Sequence, residues 1–288
     1  MSQPKRRNSK RTTQRLDKAV ELIQTRYSPS TLQRGRDVQT KRPPAIASSF
    51  PQLDALTGCS GIPLNHITLL SGGARDITSG KLTLGYKILA NAQVSSSSAR
   101  RKNLVAVLSL NHTINLDYLI RCGIDVNYAA VLQPQSGDQA INLISDVVRS
   151  RRVRALLVDS LPDLMADTRT ARHFASTIDA IGALVTHSNC ALIFLDDPSP
   201  LWLRLFSALD PSPVRQMAGL QLALTHEAWL DDDTHLTGYR SRVEVVHSRW
   251  AAPSGRTARS SASTTIEIVF NGTVKAAPTW TWRPGERA

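Results

Sequence analysis

Between residues 66 and 195, five short apolar runs alternate with four stretches of helical period, and that alternation leaves few architectures open. The runs are 66–70, 104–110, 129–133, 155–159 and 191–195. The helical stretches are 82–93, 115–122, 138–148 and 172–187, the last carrying Phe174, Ile178, Ile181 and Val185 on one stripe. Strands separated by amphipathic helices imply a parallel sheet with helices on both faces. After Pro213 the pattern changes to "LQLALTHEAWL" and "SRVEVVHSRWAAP" around the polar turn "DDDTHLTG". These read as antiparallel strands that extend the sheet at one edge. The expected fold is therefore α/β: a mostly parallel twisted sheet, helices on both faces and an antiparallel edge extension. A chain of 288 residues with 41% hydrophobic content can bury a core of that size.

No apolar run approaches the roughly 20 residues that span a bilayer, so a cytoplasmic chain without a membrane partner is expected. Cys59, Cys122 and Cys190 lie far apart, and the seven histidines do not fall at metal-ligand spacing. Neither a disulfide framework nor a structural metal is expected.

Charge is concentrated at one end. Residues 1–42 hold twelve Lys or Arg and three acids, a net +9, which leaves +3 of the total +12 for the remaining 246 residues. The segment "PKRRNSKRTTQR" supplies Lys5, Arg6, Arg7, Lys10, Arg11 and Arg15 and is too polar to form a core, so it is expected to be disordered alone. It reads either as a solvated tail or as a nucleic-acid arm held by phosphate contacts, hence sensitive to salt. In "RLDKAVELIQTR" the residues Leu16, Ala19, Val20 and Ile23 share one helix face. With the linker-like 27–44 behind it, this helix is expected to dock on a neighbouring chain.

The stretch "LLSGGARDITSGKLTL" (69–84) nearly spells a phosphate loop. The signature GxxxxGK[ST] has four residues between its glycines, a length that curls backbone N–H groups around phosphates, and a hydroxyl after the lysine for Mg²⁺. Here six residues separate Gly73 from Gly80, Leu82 follows Lys81, and Thr83 comes one place late. The candidate nucleotide-contacting set is Gly73, Ser79, Gly80, Lys81, Leu82 and Thr83.

The order of these features resembles the RecA family, ATP-dependent recombinases that form filaments on DNA. The segments that carry the resemblance are "FPQLDALTGCSGIPLNHITLLSGG", "YLIRCGIDVNYAAVLQPQSGDQAINLISDVVRSRRVRALLVDS" and "GYRSRVEVVHSRWAAP", behind a helix and linker that look like the family's polymerisation arm. The resemblance implies a P-loop NTPase core at 46–275, a basic tail, helix and linker at 1–45, and a tail at 276–288, without the family's C-terminal domain. It places Lys81 as the phosphate-loop lysine, Asp159 as the Mg²⁺-organising aspartate and Tyr118 at an adenine-contacting position. It also puts Asn111 where the family has its catalytic glutamate and Asp197 where it has a glutamine that senses the γ-phosphate. An amide holds a water but does not take its proton, and a carboxylate repels a γ-phosphate. Groups of this kind are each worth roughly 10²–10⁴-fold in rate, so efficient hydrolysis is not expected.

By the same resemblance His247 and Arg249 match two lysines that reach across the filament interface, and Leu16, Val20 and Ile23 of the arm-like helix are further interface candidates. The two DNA loops correspond to 161–172 and 196–216, where Arg169, Arg172, Arg204 and Arg215 are the cations available to phosphate. The apolar patch 199–207 reads equally as a protein-binding surface. Three functions follow as alternatives. One is a RecA-like repair, recombination or SOS accessory protein of the nucleoid, binding DNA (single-stranded by the family's habit), RecA or a DNA polymerase, with ATP and Mg²⁺ bound weakly or not at all. The second is an active DNA-dependent ATPase with Asp76, Asp117 or Asp197 replacing the glutamate. The third is an interaction module without nucleic acid.

Overall fold

The structure is a computed structural model that describes residues 42–72, 79–94, 102–111, 114–196, 213–231, 236–250 and 262–269, the backbone of 274–276, and the single residues 18, 21 and 25. The chain divides into two units, Met1–Arg42 and Pro43–Ala288. In the first, residues 18, 21 and 25 are helical and exposed, with the Thr25 hydroxyl donating to the Glu21 carbonyl at 2.7 Å. Leu16, Val20, Ile23, the six cations from Lys5 to Arg15, Gly73, Asp197, the patch 199–207 and Arg204 lie outside the described residues.

In the second unit a short pair, β1 (Ala45–Ile46) and β2 (Ile62–Pro63), brackets α1 (Pro51–Leu56). The main elements follow as β3 (Ile67–Gly72), α2 (Lys81–Gln93), β4 (Leu104–Ser109), α3 (Leu116–Arg121), β5 (Ala129–Leu132), α4 (Gly137–Ser150) and β6 (Val153–Asp159). Then come α5 (Leu161–Leu164), α6 (Thr168–Thr186), β7 (Ala191–Asp196), α7 (Pro213–Met217), β8 (Leu220–Asp231), β9 (Leu236–Ser248), β10 (Ser263–Val269) and β11 (Val274–Ala276). Among the described residues they build one nine-stranded sheet in the order β11-β10-β9-β8-β3-β7-β6-β4-β5. The strands from β8 to β5 are mutually parallel, while β9, β10 and β11 continue antiparallel. This is a parallel block with an antiparallel extension, as the pattern predicts, except that β8, expected in the extension, pairs parallel with β3 and only β9 onward runs antiparallel.

Alternation along the central strands divides the core into two layers. Ala155 and Leu157 of β6 face the layer of Leu84, Ile88 and Leu89 from α2; Leu156 and Val158 face that of Ile141 and Ile144 from α4 and Phe174 and Ile178 from α6. Because both faces are covered, β7 is buried at every position, "ALIFLD". Two expectations are corrected. The helix read as 172–187 begins at Thr168, since the Asp167 side chain accepts from the Thr170 N–H and caps it there. The region 161–172 is not a loop but α5 and the first turn of α6. The three cysteines are buried as separate thiols, and burial pushes Cys190 up to about 12.

Candidate phosphate-loop site

Parallel strands bring all their carboxyl ends to one pole, where open α/β sheets hold ligands. β3 ends there at Gly72, β4 at Ser109, β6 at Asp159 and β7 at Asp196, with Ser71 opposite Asp196 and Ser109 opposite Asp159 in register. The two ends of the lengthened loop meet: a Cβ on Gly72 would run into the Ser79 hydroxyl and come within 3.3 Å of Lys81 Cδ. Gly80 turns the chain into α2 in the left-handed region, φ 81°. There an added Cβ would strike Ile268 Cδ1, so only glycine fits.

Lys81 opens α2, and its ammonium donates to the Asp196 carbonyl oxygen at 3.2 Å. The Asp196 carboxylate, 8% exposed, is held by Arg215: the η2 nitrogen lies 2.7 Å and Nε 3.3 Å from Oδ2. Gln221 Nε2 in turn donates to the Arg215 carbonyl. One aspartate therefore ties the phosphate-loop lysine to α7, where the chain returns from the 197–212 segment. Arg215, a candidate cation for DNA, spends its charge on this internal pair.

The hydroxyl expected near the metal points elsewhere. Leu82 packs against the α2-side core, while Thr83 is buried and its Oγ1 hydrogen-bonds the Tyr118 hydroxyl. Residues two apart on a helix do not share a face, so the packing that seats Thr83 turns it away from Lys81. Burial pushes the Tyr118 phenol up, so it stays protonated. Tyr118→Phe and Thr83→Val are each expected to cost about 1 kcal/mol, and together little more than either alone, because both remove the same hydrogen bond. Urea denaturation of the two single variants and the double variant checks this.

Asp159 lies close enough to Tyr86 that, after burial itself, its charge helps push that phenol well above the ordinary range. Beside it the Ser109 hydroxyl is buried and has no hydrogen-bond partner among the described residues. A buried orphan of this kind is the sort of group that a bound water or ion satisfies. The donor set thus fits the phosphates of a nucleotide, through the α2 N-terminus and Lys81. It offers Mg²⁺ the Asp159 carboxylate and the Ser109 hydroxyl rather than a hydroxyl next to the lysine.

Asn111 lies just beyond β4, and its amide donates to the Asp163 carboxylate. Asp163 sits on α5, where its own N–H is accepted by the Ser160 hydroxyl at 3.3 Å. The only local signal for Asp163 is "SLPD", the S-x-x-D spacing of a capped helix start. Arg169 and Arg172 are exposed on the first turns of α6, at the same pole. His247 and Arg249 are not brought to it: β9 pairs Gln221 with His247 at the start of β8, the opposite pole, and Arg249 donates to the Met217 carbonyl at 3.1 Å.

Comparison with known proteins agrees with this geometry. A family model described as the RecA N-terminal domain matches residues 14–271. The chain is 26% identical over 254 residues to the protein RecA of Chloroherpeton thalassium, covering 83% of this chain and 69% of that one. It is 26% identical over 260 residues to the RecA of Chlorobium chlorochromatii, with 83% and 70% covered. With the RecA of Aquifex pyrophilus the identity is 24% over 254 residues, covering 83% and 70%.

Proposed function

The chain belongs to the RecA family, and from that premise we propose that it is an accessory protein of DNA recombination and repair that binds DNA and has lost efficient ATP hydrolysis. The observation that carries the reading is the combination of an intact family core with a hydrolytic site whose key groups are redirected. Leu82 packs inward, Thr83 is engaged by Tyr118, and the Asn111 amide is engaged by Asp163. ATP, when bound, would supply a triphosphate for Lys81 and the α2 N-terminus to grip, and Mg²⁺ would rest on Asp159. Lys81, whose ammonium donates to the Asp196 carbonyl, would orient the phosphates and would activate no water.

DNA is held by the arm from Lys5 to Arg15, with Arg169 and Arg172 as further phosphate contacts. The protein acts at the nucleoid, alongside RecA or a repair polymerase, and single-stranded DNA is the form expected. A second copy docks through Leu16, Val20 and Ile23. Leu116 and Ile120 of α3 and Val131 of the edge strand β5 are exposed, and support this by offering apolar surface to a partner. Fluorescence anisotropy with labelled single-stranded and duplex oligonucleotides tests the DNA part. Removal of residues 1–15 is expected to weaken binding at least about tenfold at ~0.1 M salt and to flatten its salt dependence. Equal affinity with and without the arm sinks it.

Asp163 favours one competing reading, an active ATPase, because it puts a carboxylate within reach of the water that Asn111 would hold. Calorimetry and turnover with Mg-ATP, with Lys81→Ala as control, decide between the two. Hydrolysis that vanishes in Lys81→Ala and Asp163→Asn overturns the accessory reading.

A further inference from the structure

The turn from α4 into β6 reads "RSRRVR": Arg149, Arg151, Arg152 and Arg154 within six residues. It stands at the amino end of β6, whose other end is Asp159, about 20 Å away at the rise of a strand. It is thus remote from the phosphate loop. Arg149 and Asp146 approach to only 4.0 Å, with side chains 69% and 71% exposed. Among the described residues Arg151, Arg152 and Arg154 have no carboxylate partner.

A helix C-terminus attracts cations, and that accounts for Arg149 and Arg151. It does not account for Arg152 and Arg154, which lie beyond the helix. Arg154 is half-buried, and desolvation pulls its guanidinium down, a cost that a bound anion would offset. Nor is the charge part of a broadly basic surface. Residues 43–288 carry a net +3, and the stretch from Asp146 to Arg154, four arginines and one aspartate, already amounts to that. All four cations are arginine, whose planar fork matches a phosphate. The turn is fixed between two core elements, Val148 and Ala155 both being fully buried, so little ordering is needed on binding. It presents no exposed apolar side chain of its own, the anchor that a protein partner uses and a phosphodiester backbone does without.

We propose that the α4–β6 turn is a second, sequence-independent contact for the phosphodiester backbone of nucleic acid, separate from the basic arm. The proposal rests on the DNA-binding reading above.

The test uses the full chain and a variant carrying Arg149→Gln, Arg151→Asn and Arg152→Gln. Arg151 caps α4 in the left-handed region at φ 55°, a conformation that Asn tolerates, so the fold is kept and an unchanged melting temperature verifies it. Anisotropy is read with labelled duplex and single-stranded oligonucleotides across a salt series. The salt slope is expected to fall by two to three on duplex, at about 0.9 per lost contact, or by about two on single strands, at about 0.7 per contact; the arm with the larger loss identifies the DNA form. Lysine at the same three positions is expected to restore the slope. If the unmodified chain binds DNA and the variant has the same affinity and slope, the turn is no DNA contact, while the arm reading stands. An equal arginine-dependent loss on polyglutamate also overturns the proposal, since the turn would then recognise acidic chains in general. If the unmodified chain binds no DNA, both readings fall together.

Discussion

Gly80→Ala is expected to lower the unfolding free energy by about 3 kcal/mol and to abolish any nucleotide binding. Two costs add at this position. A non-glycine residue held in the left-handed region loses about 1–2 kcal/mol. The new methyl also meets the Ile268 side chain, a core residue only 2% exposed, and lies 3.4 Å from the Tyr239 hydroxyl. Overpacking of this kind costs roughly 1–3 kcal/mol when a buried side chain such as Ile268 has to shift. Relief by unwinding the first turn of α2 would displace Lys81, which opens that turn. Urea denaturation reads the first effect and calorimetry with Mg-ATP the second. A variant as stable as the unmodified chain would mean that Gly80 does not adopt the left-handed turn.

Asp196→Ala is expected to cost about 2–3 kcal/mol. Removing one partner of a buried pair leaves the other charge desolvated and uncompensated, and here the carboxylate is 8% exposed and the Arg215 side chain 31%. The partial exposure of Arg215 puts the cost below the roughly 3–5 kcal/mol of a fully buried pair. Arg215→Met is expected to be at least as damaging, since it strands the more deeply buried group. The double variant should recover part of the loss, because no charge is then left unpaired. If the double variant is as unstable as the two losses summed, the residues are not coupled. The consequence extends beyond stability: α7 closes the segment that begins at residue 197, and its anchor is the residue whose carbonyl receives Lys81.

The parallel block, the antiparallel extension and the positions of Lys81 and Asp159 at helix and strand ends are legible in the chain's apolar pattern and motifs. Apolar periodicity is a local property: helical stretches alternating with short apolar runs leave a parallel sheet covered on both faces as the way to bury them. Helix ends were less legible. The start of α6 lies four residues before its periodic stretch, because its signal is one capping side chain, Asp167, rather than a period.

Other features depended on strand order and register, which local pattern does not encode. Nothing near Thr83 in the chain indicates that its hydroxyl meets Tyr118, 35 residues on. Nothing near Asn111 points to Asp163, 52 residues on, which becomes its neighbour because β6 lies beside β4. The pairing of Asp196 with Arg215, and the placing of Arg249 at the pole opposite Lys81, likewise follow from β8 lying beside β3 and running parallel to it. Local sequence chose the elements and their faces. Which groups share a site was decided only when the sheet was assembled, because the partners are distant in sequence and meet through the lateral order of the strands.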